Sequence, residues 1–214
     1  MKNDQSTFLQ KGKRASDLLG LIHTDVCWPM STCTRNGYYY FITFTDDYSR
    51  YGYVYLMRHK SESFDEFKEF KTKVENQLNK SIKALRLDRR GEYLCFEYKT
   101  YLKECGIVSQ LTPLGIPQCY GIAKKRNQTM LDMICFMMSN TTLPKSFWGH
   151  ALDTTALTIN MVPSKSVEKT PYELWFGKSH ICLILKMGLQ SICHTPEVWQ
   201  TWSQIWRMLF RRIS

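Results

Sequence analysis

Two aspartates stand at the ends of short apolar runs in this 214-residue chain. Asp25 closes LLGLIHTDV, and Asp88 follows LRL in LRLDRRGEYL. Further on, the Gly/Pro-marked loop TPLGIPQCYG leads into GIAKKRNQTMLDM, a helical pattern with a polar first turn. Carboxylates delivered by strand ends beside such a helix are the materials of a metal-dependent phosphodiester site. Mg²⁺ takes hard oxygen ligands and keeps several waters, so three acidic side chains suffice. Two such ions, roughly 4 Å apart, would flank the scissile phosphate. The first turn of the helix, however, carries Lys124, Lys125 and Arg126, and no acid.

The elements that must position these residues follow from periodicity. Leu18–Val26 reads as a buried strand, GYYYFITFTDDYSR as a second strand running into a turn at Asp46, Asp47 and Ser49, and Arg50–Met57 as a third. Short connections imply an antiparallel meander. Ser61 or Ser63 caps a helix whose Phe64, Phe67, Phe70, Val74 and Leu78 recur at helical spacing. Lys68, Lys71 and Lys73 on its other face read as a solvated surface rather than a nucleic-acid patch. Ile82–Leu87 is a strand delivering Asp88. Phe96–Cys105 is a helix stopped by Gly106, and Ile107–Leu111 is a strand. Helices follow over Ile122 to about Asn140, with Met130, Ile134, Met137 and Met138 as its apolar face, and over about Ser146–Met161. YELWFG closes the readable region. The order β-β-β-α-β-α-β-α-α implies a mixed five-stranded sheet with helices on both faces, and sets Asp25 and Asp88 on neighbouring central strands at one edge.

Composition narrows the partners. Lys and Arg number 29 against 19 Asp and Glu, a formal charge of +10, which favours a polyanion and nucleic acid first. With 43% hydrophobic residues the chain can bury a core. Its eight cysteines include no Cys-x-x-Cys pair, and no His-x-x-x-His spacing occurs, which argues against a structural zinc site. The opening MKNDQSTFLQKGKR lacks an apolar signal core, and no run approaches a membrane span. Free thiols then imply a reducing intracellular setting, nucleus or cytoplasm.

Taken together, LIHTDVCWPM, FITFTDDYSRYGYVYLM, LRLDRRGEYL, GIPQCYGIAKKRNQTMLDM and TPYELWFGK resemble the integrase core of copia-type LTR retrotransposons, a part of their Pol polyprotein. The likeness runs from about Arg14 to Lys178. It implies an α/β, ribonuclease-H-like fold: a mixed five-stranded sheet flanked by helices. It also implies DNA integration by polynucleotidyl transfer, with two aspartates and a glutamate holding Mg²⁺ or Mn²⁺. Asp25 and Asp88 match the two aspartates as catalytic residues and metal ligands. The third position lies 35 intervening residues beyond Asp88 (124 − 88 − 1), and Lys124 occupies it. Where the family reads like Gly-Val-Ala-Glu-Arg-Arg-Asn, this chain has Gly121-Ile122-Ala123-Lys124-Lys125-Arg126-Asn127. Trp28 and Arg90 stand where the family usually has glycine. The zinc-binding region expected ahead of an integrase core is not among these residues, which open shortly before the core.

These departures predict a catalytically degenerate site with impaired metal binding. A non-catalytic DNA-binding remnant and a decayed, non-functional product both remain open. Arg86, Arg89, Arg90, Lys124, Lys125 and Arg126 are expected to form one positive rim around Asp25 and Asp88 that holds DNA. A homo-oligomer also stays open, and no membrane is expected as a partner. Three segments are expected: a polar leader over 1–14, the core over 15–178, and an aberrant tail over 179–214. The family would continue with a Trp-Gly-Cys-x-Ala-Tyr-Val strand. One permissible codon string for Lys186–His194, read one base on, gives Lys-Trp-Gly-Cys-Lys-Ala-Tyr-Val, so a frameshift near residue 180 is expected. The rival reading is a partner or membrane-surface helix with Trp199, Trp202, Trp206, Leu209 and Ile213 on one face and Arg207, Arg211 and Arg212 beside them.

Overall fold

The computed structural model describes residues 14–27, 29–87, 96–111, 121–163 and 167–178. Its strands are β1 (Ile22–Val26), β2 (Tyr40–Asp46), β3 (Gly52–Met57), β4 (Ala84–Leu87) and β5 (Val108–Leu111). Its helices are α1 (Ser63–Leu78), α2 (Phe96–Glu104), α3 (Gly121–Ser139), α4 (Trp148–Met161) and α5 (Pro171–Phe176). The strands form one sheet in the order β3-β2-β1-β4-β5. β1, β2 and β3 are antiparallel neighbours, whereas β4 runs parallel to both β1 and β5. This is the mixed five-stranded sheet that the sequence implies, with β1 at its centre.

Alternation along each strand divides the core in two. Ile22, Val26, Ile42, Phe44, Met57, Leu85 and Leu87 face one way, against Phe67, Phe70 and Val74 of α1, Tyr98 and Leu102 of α2, and Trp175 of α5. Phe41 and Cys27 face the other way, against Met130, Ile134 and Met137 of α3 and Trp148, Ala151 and Leu152 of α4. Met138 packs at the margin of that second cluster.

Two local expectations are corrected. The first strand begins at Ile22 rather than Leu18, because Leu19 turns the chain with a φ of 59° and donates its N–H to Asp46 Oδ1 at 2.9 Å. Neither Ser61 nor Ser63 caps α1. Ser63 is its first residue, and the N-cap position belongs to Glu62, at the end of a 3-10 turn over Lys60–Glu62. The Glu62 carboxylate accepts instead from the Arg58 N–H at 2.9 Å. YELWFG is helical. Thr170 and Glu173 form a reciprocal capping box, Pro171 sits in the first turn, and Gly177 ends the helix at a φ of 67°. Among the described residues no helix is long and apolar enough to cross a membrane. Of the expected leader over 1–14 only Arg14 is described, and it donates to the Asp47 and Tyr48 carbonyls; residues 1–13 and the segment 179–214, with its expected tryptophan-lined helix, lie outside the described residues.

Candidate active site

Asp25 lies on β1 opposite Thr43 of β2. Ile22 and Val26 are committed to the α1 side, so the pleat turns His23 and Asp25 toward α3 and α4. Asn127 of α3 reaches across and donates from Nδ2 to Asp25 Oδ2 at 3.1 Å. The Thr43 hydroxyl donates to Asn127 Oδ1 at 2.8 Å, which fixes the amide with its NH₂ toward the carboxylate. Thr43, Asn127 and Asp25 thus form a chain of three polar side chains, and Thr43 and Asn127 are fully or almost fully buried.

Lys124 precedes Asn127 by three residues, which places the two on one row of the helix, about 4.5 Å apart along its axis. Lys124 and Lys125 are exposed in the first turn. Arg126 is not, and this corrects its expected place in the rim. It turns inward with a relative exposure of 9%. Its guanidinium donates to the Arg50 carbonyl at 3.0 Å and to Asn160 Oδ1 of α4 at 2.8 Å, while Nε has no partner. Asn160 in turn pairs with both the N–H and the C=O of Gly52, each at 2.9 Å. A Cβ on Gly52 would stand 2.6 Å from the guanidinium, so the bare glycine is what admits Arg126. Desolvation lowers the guanidinium pKa to about 10, which leaves it charged at neutral pH. The helical period carried this signal: Ala123, Met130, Ile134 and Met137 are buried, and positions 126 and 127 fall between them on the same face.

Arg86 of β4 is half-buried and donates to Gln110 of β5 at 2.8 Å. Asp46 and Asp47 do more than make their turn. Asp47 Oδ1 accepts from both His23 Nε2 and Arg50 at 2.8 Å, and Oδ2 accepts from the Ala15 N–H at 2.6 Å. Burial opposes ionisation of Asp47, but these donors outweigh it and hold its carboxyl well below the usual range. Burial lowers the pKa of His23 despite Asp47, which favours the neutral imidazole at neutral pH with its proton on Nε2 toward Asp47. Asp46 accepts from Ser49 and from the Leu19 N–H, yet burial still raises its pKa.

Asp88, Arg89, Arg90 and Trp28 lie outside the described residues. The parallel pairing of β1 and β4 sets Ile22 opposite Leu85 and His23 opposite Arg86. Among the described residues no group of three His, Cys, Asp or Glu side chains is placed to hold a metal ion.

The strand order, the helices on both faces and the placing of Asp25 define a ribonuclease-H-like integrase core fold. Solved structures bear this out. The fold matches the simian T-cell lymphotropic virus intasome, in complex with the PP2A regulatory subunit B56 gamma, with a TM-score of 0.60 at 16% identity, covering 86% of this chain and 60% of that one. It matches the magnesium-bound catalytic core domain of HTLV-2 integrase with a TM-score of 0.54 at 15% identity, covering 75% of this chain and 99% of that one. In sequence, the retrovirus-related Pol polyprotein from transposon TNT 1-94 of Nicotiana tabacum is 34% identical over 202 residues, 94% of this chain and 15% of that polyprotein. No protein-family model matches. The chain is a retrotransposon Pol integrase-like catalytic core, related to the copia-type LTR elements and to retroviral integrases. It spans only about a seventh of the tobacco polyprotein. Twelve residues fall outside that match (214 − 202), so it enters the segment 179–214.

Proposed function

We propose that this integrase core is catalytically silent and holds DNA without joining it. The observation that carries this reading is the row on α3. Asn127 reaches the Asp25 carboxylate, and one turn before it, where the family carries its third acid, Lys124 stands exposed. An ammonium has three donors and no acceptor, so it cannot ligate a metal. Replacing Glu by Lys changes the local charge by two units, which repels Mg²⁺ and draws anions. The residues present therefore do not fit the two-metal arrangement that the family implies, and no catalytic step is assigned to a metal here. The net charge of +10 supports a retained attraction to DNA.

The test pairs a strand-transfer assay on a short DNA end with calorimetry in Mg²⁺ or Mn²⁺ and a salt-titrated DNA-binding measurement. The expected result is salt-dependent binding with no metal-dependent joining. Metal-dependent joining by the unmodified chain overturns the silent site. Absence of DNA binding by folded protein overturns the retained function and leaves a decayed product.

A further inference from the structure

We propose that DNA lies on an aromatic and cationic patch at the end of the sheet where β2 begins and β3 finishes. This rests on the DNA-binding reading above and assigns it a surface. The end concerned is the one toward which Asp25 lies on β1. Val26 pairs with Ile42, and the Cys27 N–H donates to the Phe41 carbonyl at 2.9 Å. Tyr40 is three residues along β2 from Thr43, the partner of Asp25, which is about 10 Å.

Three cations lie over three rings here. The Arg58 guanidinium sits 5.6 Å from the Tyr38 ring centroid, Lys60 Nζ 5.9 Å from that of Tyr40, and the Arg35 guanidinium 5.5 Å from that of Phe147. Cation–ring contacts also occur elsewhere, at Lys68 over Phe64 and Lys73 over Tyr53; the three here differ in sitting together on the segments that close this end of the sheet. Arg35 and Arg58 are exposed, and Tyr39, between Tyr38 and Tyr40, is 43% exposed. The loop that carries Arg35 and the tyrosines is tied down. Trp148 Nε1 donates to the Thr32 carbonyl at 2.8 Å, the Tyr38 N–H to Thr34 Oγ1 at 3.0 Å, and the Tyr39 N–H to the Met57 carbonyl at 3.0 Å. The nearby acid, Glu62, already accepts from the Arg58 N–H.

A guanidinium laid on a ring keeps its N–H edge available for phosphate oxygens. The ring also orders a long side chain before the ligand arrives, so less rotamer freedom is lost on binding. Tyr39 offers a ring on which an unpaired base of a frayed end can stack. Two of the three α1 lysines do not compete as a phosphate track, because Lys68 pairs with Asp65 at 3.0 Å and Lys71 with Glu75 at 2.7 Å, while Lys73 lies 5.0 Å from the Tyr53 ring centroid.

The experiment is fluorescence anisotropy of a short labelled DNA duplex across a salt series. It compares the unmodified chain, an Arg35→Gln/Arg58→Gln/Lys60→Gln variant, and a Lys68→Gln/Lys71→Gln control. Three lost phosphate contacts should shrink the slope of log affinity against log salt by about 2.7, at about 0.9 per contact. The control should leave the slope unchanged. An unchanged slope in the folded triple variant overturns the patch, even if its thermal midpoint falls, since that is what a merely structural role gives. Should the triple variant fail to fold, the single variants decide: each lowers the slope by about 0.9, or the patch is wrong. If the unmodified chain itself shows no salt-dependent binding, the DNA-binding reading fails, and the patch with it.

Discussion

On the α1 side of the sheet, Phe44 stacks on Phe70 with centroids 4.5 Å apart, and Phe67, Tyr98, Tyr53 and Tyr55 close round them edge-on or tilted. On the α3 side, the same strands present His23, Asp25, Thr43 and Gly52, and the helices answer with Asn127, Arg126 and Asn160. Thr43 and Phe44 are adjacent in the chain, so one strand supplies both faces through its period of two. The ring-packed face is a scaffold whose energy depends on volume and shape. The polar face depends on its donors finding acceptors, with Arg126 Nε left unmatched, because an unpaired polar group costs most where water is excluded. Specific substitutions separate the two.

The largest effect is expected from Phe44→Ala. Deleting a fully buried ring at the centre of the stack should cost about 3–5 kcal/mol in urea unfolding. A cost below about 1 kcal/mol would mean that the face collapses around the gap and is not the rigid half. Next comes Arg126→Ala, which leaves the Arg50 carbonyl without its donor and opens a space beside Gly52; about 2–4 kcal/mol is expected. Arg126→Met keeps the aliphatic body and removes a desolvated cation, so it should cost less than half as much. Equal costs for Met and Ala would show that the charge, not the volume, holds α3 in place.

A smaller effect is expected with pH. His23 and Asp47 both have lowered pKa values, so the unfolded chain binds more protons and stability rises with pH. The His23 contribution is complete above its ordinary value of 6.5 and is lost as pH falls from there through the folded value. That of Asp47 is complete above 3.8 and is lost below it, while Asp46, raised by burial, runs the opposite way and offsets part of the acid limb. His23→Gln should therefore flatten denaturation midpoints just below pH 6.5 and leave the acid limb standing. A slope that survives the substitution assigns the effect elsewhere. The smallest change in stability is expected from Lys124→Glu, within about 0.5 kcal/mol for an exposed position. Its signature is a gain of Mn²⁺ binding by calorimetry with strand transfer still weak, because Trp28 and Arg90 remain; full joining would show that position 124 alone silenced the site.

The antiparallel meander is legible because β2 and β3 are β-branched or aromatic runs between turn residues, whereas β4, Ala-Leu-Arg-Leu, is marked only by its apolar residues ahead of Asp88. The cap of α1 was misread, since two serines offer the same signal and neither hydroxyl is used. The capping box of α5 is written in Thr170-Pro171-Tyr172-Glu173, but a six-residue helix is too short to show an apolar period. Arg126 was read by its charge, as a rim residue, although its place between Ala123 and Met130 marked it as buried. Residue type predicts average exposure, but only position predicts the exceptional buried cation. Apart from Arg50, three residues on, the partners of Asp47 and Asn127 stand 24 to 102 residues away, which no local pattern encodes. For the segment 179–214, the coding DNA decides the expected frameshift: a string that restores Trp-Gly-Cys-x-Ala-Tyr-Val one base on bears it out, and none that does so removes it.

The fit of Arg126 against Gly52 also constrains the order in which this chain can change. While the guanidinium is in place, a Cβ at position 52 meets it at 2.6 Å, so a substitution there displaces the Arg126 head group and costs it its bonds to Arg50 and Asn160. Once Arg126 gives way to a shorter residue, position 52 opens, and a larger residue arriving there bars the arginine from returning. The two positions act as a ratchet. In a set of sibling copies, variants that keep Gly52 with a changed 126 should outnumber those that keep Arg126 with a changed 52. A double-mutant cycle would show the same dependence as strong non-additivity.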